Sequence, residues 1–249
     1  MKKLRLSGAR ETLSLRLQEA LGNNLSHQEF LELLLEDELA IRKQRSIQRG
    51  IKKAEFRELR SLEDFDFSFN TTIKRAGLYE LAAGHFIREA QDILFLGPPG
   101  VGKSHLAQGL GHNAIRMGFT VYYRSIFDLV RDFFKEEQGL DTEKTLAKYL
   151  KPDLLIIDDM GMKQLPHRAG EYFFEVIMRR HQMRSTIMTT NRPIEEWGKL
   201  INDVPAATAI LDRFLQTAQI IAISGRSYRL RNRAVCNEDL DNNQKQAIS

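Results

Sequence analysis

The chain has 249 residues, a formal net charge of +4 and a single cysteine, Cys236, and 42% of its residues are hydrophobic. This length is enough for one well-packed α/β core with an appendage, while the single cysteine excludes an intramolecular disulfide or a cysteine-based metal cluster and is typical of a cytoplasmic protein. No apolar run is long enough to span a bilayer, and charged residues interrupt the stretch that follows the basic N-terminus, so we expect no membrane partner.

The N-terminal part of the chain has a helical pattern and carries the excess of positive charge. Apolar spacing predicts a helix over residues 7–21, and a capping box at 26–29 starts a second, longer helix. Residues 1–60 hold 13 of the 37 Lys and Arg but 9 of the 33 Asp and Glu, which leaves 24 of each sign in the rest of the chain. The basic cluster is either a solvated helix face or a DNA-binding surface. The candidate DNA-binding residues are Arg42, Lys43, Arg45, Arg49, Lys52 and Lys53.

A domain boundary is predicted near residue 61. Residues 61–70 alternate aromatic with polar side chains, which indicates an extended linker whose rings insert into the domain that follows. We therefore expect a basic helical domain at 1–60 for DNA or partner binding and a second domain at 61–236. The remaining residues, 237–249, are rich in Asn, Gln and Asp, and this composition predicts a disordered tail.

The stretch at 97–104 matches the phosphate-binding pattern G-x-x-x-x-G-K-[ST] at every fixed position. A predicted strand at 93–96 precedes it and a predicted helix at 104–117 follows it, which is the context that the motif requires. The glycines let backbone N–H groups converge on phosphate oxygens at a helix N-terminus, the lysine reaches the β and γ phosphates, and the final hydroxyl binds Mg²⁺. The predicted nucleotide-binding residues are Gly97, Pro98, Pro99, Gly100, Val101, Gly102, Lys103 and Ser104.

Strands and helices alternate around and after this motif. The further predicted elements are a helix at 78–90, a strand at 119–123, helices at 125–137, 142–150 and 172–183, and strands at 154–159, 185–191 and 220–223. This alternation indicates an α/β protein with a parallel sheet.

The strand at 154–159 is almost entirely apolar and ends with Asp158 and Asp159. Such a run is typical of the centre of a parallel sheet, where ligands bind beyond the carboxyl ends of the strands. We predict that Asp158, with Ser104, binds Mg²⁺ and that Asp159 polarises an attacking water. Asn191 ends the next strand, where it either orients that water or simply terminates the strand.

Two arginine-containing stretches follow, at 212–214 and at 226–231. Arginines near a nucleotide site can neutralise the charge that develops on the γ-phosphate, either within the subunit or from a neighbouring one. Alternatively, these arginines only form salt bridges at the protein surface.

Taken together, these motifs resemble the IstB family of insertion-sequence transposition helpers, which are related to the DnaC-type helicase loaders within the AAA+ ATPases. The resemblance covers nearly the whole chain, and it is carried by the basic N-terminus and by the motifs at 97–107, 158–159, 189–192, 212–214 and 227–229. It implies an AAA+ P-loop fold with a five-stranded parallel sheet flanked by helices. In that fold the strand that carries sensor I separates the Walker A and Walker B strands.

The resemblance also implies a role for each motif. The Walker A segment would bind ATP and would extend to His105, and Asp158 with Asp159 would form Walker B. Asn191 would be sensor I, Arg213 an arginine finger that acts in trans, and Arg229 a sensor II residue that acts in cis.

The implied protein is an ATPase, slow and stimulated by DNA or by assembly, that forms a homo-oligomer with nucleotide sites at the subunit interfaces. It would bind duplex DNA mostly without sequence specificity, and it would recruit and activate its cognate transposase. The chain departs from the AAA+ pattern where Asp159 replaces the common glutamate and in having no separate lid domain after Arg213. The alternatives are a helicase loader on single-stranded DNA and a DNA-bound scaffold that binds ATP with little hydrolysis.

Overall fold

A computed structural model describes residues 3–137, 142–161, 165–166 and 169–231. The chain divides into two compact units, Met1–Lys52 and a second unit that begins at Lys53. The predicted boundary near residue 61 is therefore displaced, because Ala54 is fully buried and the ring centroid of Phe56 lies 6.0 Å from that of Tyr123 in the second unit. The predicted tail lies outside the described residues.

The N-terminal unit is built from α1 (Ser7–Asn23) and α2 (His27–Ala54), as the apolar spacing predicts. The capping box is present, since Ser26 N–H donates to Glu29 Oε2 at 2.8 Å and Glu29 N–H donates to Ser26 Oγ at 3.3 Å. The N-cap residue of α1 makes no side-chain hydrogen bond to the first turn of the helix. Instead, the buried carboxylate of Glu38 in α2 accepts the N–H groups of Gly8 and Ala9 at 2.7 and 3.0 Å, which satisfies donors that a helix start otherwise leaves free.

The second unit contains a five-stranded parallel sheet in the order β2-β3-β4-β1-β5. Its strands are β1 (Asp92–Leu96), β2 (Val121–Ser125), β3 (Leu154–Met160), β4 (Ser185–Thr190) and β5 (Ala218–Ala222). The two apolar motif strands, β1 and β3, flank β4, as expected. This order brings the carboxyl ends of β1, β3 and β4 to one edge of the sheet, where ligands of open α/β sheets bind.

Helices flank this sheet, and most begin and end within a few residues of the predicted positions. They are α3 (Arg75–Ala82), α4 (His85–Arg88), α5 (Lys103–Arg116), α6 (Ile126–Glu137), α7 (Thr142–Leu150), α8 (Ala169–Arg180), α9 (Trp197–Ile201) and α10 (Val204–Thr217), with single 3₁₀ turns at Ile194–Glu196 and Tyr228–Leu230. Among the helices of the described residues, none combines the length and the apolar character that crossing a bilayer requires.

Two predicted elements are wrong. The single helix predicted at 78–90 is two short helices, because Gly84 adopts φ 75° and the side chain of Asn113 bonds the Ala82 carbonyl oxygen at 2.6 Å. The segment at 61–70 is a series of turns and not an extended strand-like linker. Its turns form because the side chains of Ser61 and Asp66 accept backbone N–H groups two or three residues later, a local bond that competes with extended structure.

A buried arginine lies at the amino ends of the strands, on the side of the sheet opposite to the carboxyl ends where ligands bind. Arg180, at the end of α8, is 1% exposed, and its guanidinium donates to the carbonyl oxygens of Tyr149 and Pro152 at 2.8 and 2.9 Å and to Thr186 Oγ1 at 3.1 Å. Burial lowers the pKa of Arg180 to about 9. The side chain thus joins α8 to the end of α7 and to the start of β4.

We expect Arg180→Met to lower the free energy of unfolding by about 3–5 kcal/mol, because buried acceptors would lose their donor. The adjacent Arg179 is a matched control, since it is exposed and, among the described residues, its ion pair is with Glu175 at 2.8 Å. Arg179→Ala should change the stability by about 0.5 kcal/mol or less. Urea unfolding of both variants measures the difference, and equal effects would contradict the structural role of Arg180.

Candidate nucleotide-binding site

The loop between β1 and α5 has a backbone that glycine permits. Gly100 and Gly102 adopt φ 83° and 106°, in the left-handed region that other residues rarely occupy. A Cβ atom at Gly102 would lie 2.5 Å from the ring of Phe65, and one at Gly100 would lie 2.1 Å from Ser227 Oγ. The loop is therefore enclosed on one side by the 61–70 segment and on the other by the chain that follows β5.

Lys103 occupies the first position of α5 and turns its side chain back over the loop. Its Nζ donates to the carbonyl oxygens of Gly97 and Pro98 at 2.7 and 2.8 Å, and the residue is 8% exposed. Burial lowers the pKa of Lys103, while Asp158 and Asp159 act in the opposite direction. The ammonium group is thus positioned at the loop in a poorly solvated environment, where its attraction to phosphate is strengthened.

Asp158 is the most extensively bonded side chain of the site. Its Oδ1 accepts from Ser104 Oγ at 2.9 Å and from Thr189 Oγ1, and its Oδ2 accepts from the hydroxyl of Tyr123 at 2.6 Å. The residue is 1% exposed. A serine hydroxyl next to a carboxylate is the hard oxygen donor set that Mg²⁺ takes in proteins, with phosphate oxygens and water completing the shell, so Ser104 and Asp158 fit this ion.

Asp159 lies in a backbone irregularity. The register between β3 and β4 shifts between Ile157 and Met160, and Asp159 adopts φ 63° while its N–H donates to Thr189 Oγ1 at 3.1 Å. Its Oδ2 lies 3.3 Å from Nη1 of Arg57. Burial and the neighbouring Asp158 raise the pKa of Asp159, and Arg57 opposes this rise.

Asn191 lies directly after β4 at the same edge of the sheet. Its backbone N–H donates to the Met160 carbonyl oxygen at 3.4 Å, and its Oδ1 is buried without a hydrogen-bond partner among the described residues. Gly161 packs against this side chain, since a Cβ atom there would lie 2.8 Å from Oδ1. The amide is therefore held in place by packing while one of its acceptor positions is unused.

The remaining predicted site residues divide into two groups. Arg229 lies in the 3₁₀ turn after β5, lines the cleft, and is close enough to Lys103 and Asp159 to affect their pKa values. His105 bonds the 61–70 segment through Nε2, which lies 2.7 Å from the Ser61 carbonyl oxygen. Arg213, in contrast, is exposed on α10 and is not among the residues that line the cleft.

The cleft formed by these elements has a volume of about 1130 Å³. The sequence alone did not assign several of the residues that line this cleft to the site, namely Arg57, Phe65, Phe69, Tyr123, Thr189 and Tyr228. Phe69 and Tyr228 meet edge to face with ring centroids 5.0 Å apart. Thr189 belongs to a motif that the sequence identifies, but its hydroxyl acts through contacts with two aspartates, which only the strand order reveals.

The candidate DNA-binding residues are all exposed, but they differ in their partners. Arg42 pairs with Glu38 at 2.6 Å within α2, and Arg45 pairs with Glu11 at 3.0 Å, which joins α2 to α1. Within the part of the chain that the structure describes, Lys43, Arg49, Lys52 and Lys53 form no ion pair.

Comparison with known proteins identifies relatives over most of the chain. Residues 1–236 match the family described as IstB-like ATP binding protein. A protein of Geobacillus stearothermophilus named as an ATP-binding protein of insertion sequence IS5376 is 38% identical over 95% of this chain and 94% of its own length. The corresponding protein of insertion sequence IS21 from Pseudomonas aeruginosa is 35% identical over 87% of this chain and 82% of its own length.

Solved structures with a similar fold come from DNA replication proteins. The DnaC helicase loader covers 62% of this chain and 91% of its own with a TM-score of 0.54 and 23% identity. AMPPCP-bound DnaA from Aquifex aeolicus covers 76% of this chain and 56% of its own with a TM-score of 0.56 and 19% identity. These similarities confirm the predicted AAA+ P-loop fold.

The geometry around Asp158 generates a test of the metal site. We expect Asp158→Asn to retain the fold but to lose most of the Mg²⁺ dependence of nucleotide affinity, because the variant lacks the negatively charged carboxylate that would bind the ion. Titration of a fluorescent ATP analogue with and without Mg²⁺ measures this dependence. Thr189→Val keeps the carboxylate and should reduce the dependence less. An unchanged Mg²⁺ dependence in Asp158→Asn would assign the ion to other ligands.

Proposed function

Because the chain belongs to the family of IstB-like ATP-binding proteins, we propose that it is an ATP-dependent DNA-binding helper of transposition. In this proposal it assembles on target DNA in the cytoplasm and recruits and activates the transposase of its insertion sequence. The observation that carries the proposal is the convergence of Lys103 and Ser104 with Asp158 and Asp159 at one sheet edge, in a chain whose relatives are named as insertion-sequence ATP-binding proteins.

The proposed reaction is the hydrolysis of ATP to ADP and phosphate. The loop N–H groups and Lys103 would bind the phosphates, and Ser104 and Asp158 would hold Mg²⁺, which neutralises charge on the β and γ phosphates. Asp159 would polarise the attacking water, and the unused acceptor of Asn191 would help to orient it. Arg229, in cis, would stabilise the charge that develops on the γ-phosphate.

Two observations favour a homo-oligomer with composite sites. Arg213 lies outside the cleft of its own subunit and is exposed on α10, while the neighbouring Phe214 is buried and fixes the orientation of this part of the helix. An exposed arginine on a rigid element can reach a neighbour's γ-phosphate, as arginine fingers do.

A helicase loader is the second candidate function, and the fold shared with the DnaC helicase loader favours it. The two functions differ in the DNA they require. A transposition helper should assemble on duplex DNA, and a loader should prefer single strands. A scaffold that binds ATP with little hydrolysis is the third candidate, because Asp159 is shorter by one methylene than the glutamate common in AAA+ proteins. A measurement of phosphate release distinguishes this scaffold from an ATPase.

The composite site can be tested by mixing two inactive variants. Lys103→Ala should abolish turnover, and Arg213→Ala should reduce it by about 10³ or more, the range measured for arginine fingers elsewhere. A mixture of the two should recover part of the activity, because an interface can pair an intact loop with an intact finger. Specific activity should also rise with protein concentration. The absence of recovery, with activity per subunit independent of concentration, would contradict a trans role.

The DNA-binding proposal is best tested with the lysines that have no ion pair in the described part of the chain. We expect Lys43, Lys52 and Lys53, changed together to alanine, to weaken duplex binding for every sequence. The slope of log affinity against log salt should become flatter by about 0.9 for each DNA phosphate that the variant no longer neutralises.

A matched triple substitution removes the same charge from residues of the second unit that lie beyond α2. Lys148, Lys151 and Lys199 are exposed there, and changing them to alanine should leave the salt slope unchanged. Fluorescence anisotropy over a salt series measures both variants. If the two triple variants show the same decrease in affinity and in slope, the DNA surface is not the N-terminal one.

A further inference from the structure

Arg57 belongs by sequence to the basic run before residue 61, but the structure places it against a carboxylate of the nucleotide site. Its Nη1 lies 3.3 Å from Asp159 Oδ2, and its side chain is 68% exposed. Arg57 follows the end of α2 by three residues. Arg57 therefore joins the segment that follows α2 to Asp159, the second acid of the Walker B pair.

The segment 55–58 is fixed on both sides of Arg57 to elements of the second unit. Glu55 pairs with Arg124 of β2 at 2.6 Å, and the ring of Phe56 packs beside Tyr123. Glu58 N–H donates to Gln108 Oε1 of α5 at 3.0 Å. These anchors hold the backbone of the segment, and from it the guanidinium of Arg57 reaches Asp159.

Asp159 is restrained twice. Its main chain is fixed by the left-handed φ of 63° and by the bond from its N–H to Thr189 Oγ1. Its side chain is held at Oδ2 by Arg57. An aspartate has a single methylene between the backbone and the carboxyl group, so a fixed backbone leaves it little reach. A carboxylate oxygen that accepts from a guanidinium is also a poorer acceptor for a water proton.

We propose that Arg57 is a positioning residue that restrains Asp159 in cis, so that the Arg57–Asp159 pair must open before Asp159 can act on the attacking water. This inference rests on the proposed ATPase function. The pair lies at the surface, where ion pairs are weak, so the restraint is modest and reversible. Any event that draws Arg57 away from the cleft would increase turnover.

The test compares turnover per subunit at saturating ATP. Arg57→Ala should raise kcat by about two- to fivefold, which is the range that an exposed ion pair can contribute, and KM should change by less than about twofold. Arg57→Lys keeps a positive charge at the same position and should return kcat to within about twofold of the wild-type value. Combined with Asp159→Asn, Arg57→Ala should give no increase over Asp159→Asn alone.

Two controls separate the possible failures. Arg179→Ala removes another exposed, ion-paired arginine outside the cleft and should leave kcat unchanged. Lys103→Ala defines the background, so wild-type turnover above it supports the proposed ATPase function independently of Arg57. With that turnover present, an Arg57→Ala variant that is folded by thermal unfolding and is no faster than wild type overturns the restraint. If the wild type and Arg57→Ala both stay at the Lys103→Ala background, the ATPase proposal fails and the restraint fails with it, whereas turnover in Arg57→Ala alone supports both.

Discussion

The carboxylate of Asp158 accepts hydrogen bonds from hydroxyl groups on three elements, Ser104 of α5, Tyr123 of β2 and Thr189 of β4. Hydrogen bonds to a charged group are worth about 1.5–3 kcal/mol each, and a buried carboxylate that lacks them is strongly unfavourable. The bond from Ser104 joins the N-terminus of α5 to β3, and the bonds from Tyr123 and Thr189 need β2 and β4 on either side of β3. The buried apolar residues of α5 also hold that helix to the sheet, so the carboxylate orders the site within a fold that has other supports.

The irregular backbone after Asp158 follows from the same arrangement. Two consecutive residues of a regular strand point to opposite faces, so a strand that buries Asp158 among hydroxyl groups would direct Asp159 away from the cleft. The register shift between β3 and β4, with φ 63° at Asp159, turns that second carboxylate to the cleft that Lys103 also lines. A left-handed conformation costs a non-glycine residue of order 1 kcal/mol or more, and such strain persists where the surrounding structure compensates for it.

Much of the site could be predicted from the sequence because its chemistry is concentrated in short contiguous motifs. The loop at 97–104 and the paired aspartates carry their own signals, and the apolar character of β3 indicates a central parallel strand. Contacts between distant segments carry no such signal. The 2.6 Å bond from Tyr123 joins residues 35 apart, and nothing in a tyrosine within a β-rich stretch distinguishes it from a core residue. The helix predicted at 78–90 is wrong for a related reason, since a cap from Asn113 acts across 31 residues.

The basic stretch near the end of α2 illustrates why charge counted along a sequence does not identify a surface. Arg42 and Arg45 pair with Glu38 and Glu11 inside the N-terminal unit. Arg57 pairs with Asp159 in the second unit, where the charge acts on a catalytic candidate. An arginine that is already paired with a carboxylate neutralises less phosphate charge than an unpaired arginine, and it therefore releases fewer counterions from DNA. The salt dependence of binding reports this number of released counterions. The net charge of +4 is thus a property of composition, whereas the electrostatic surface available to DNA depends on which arginines the fold has already paired.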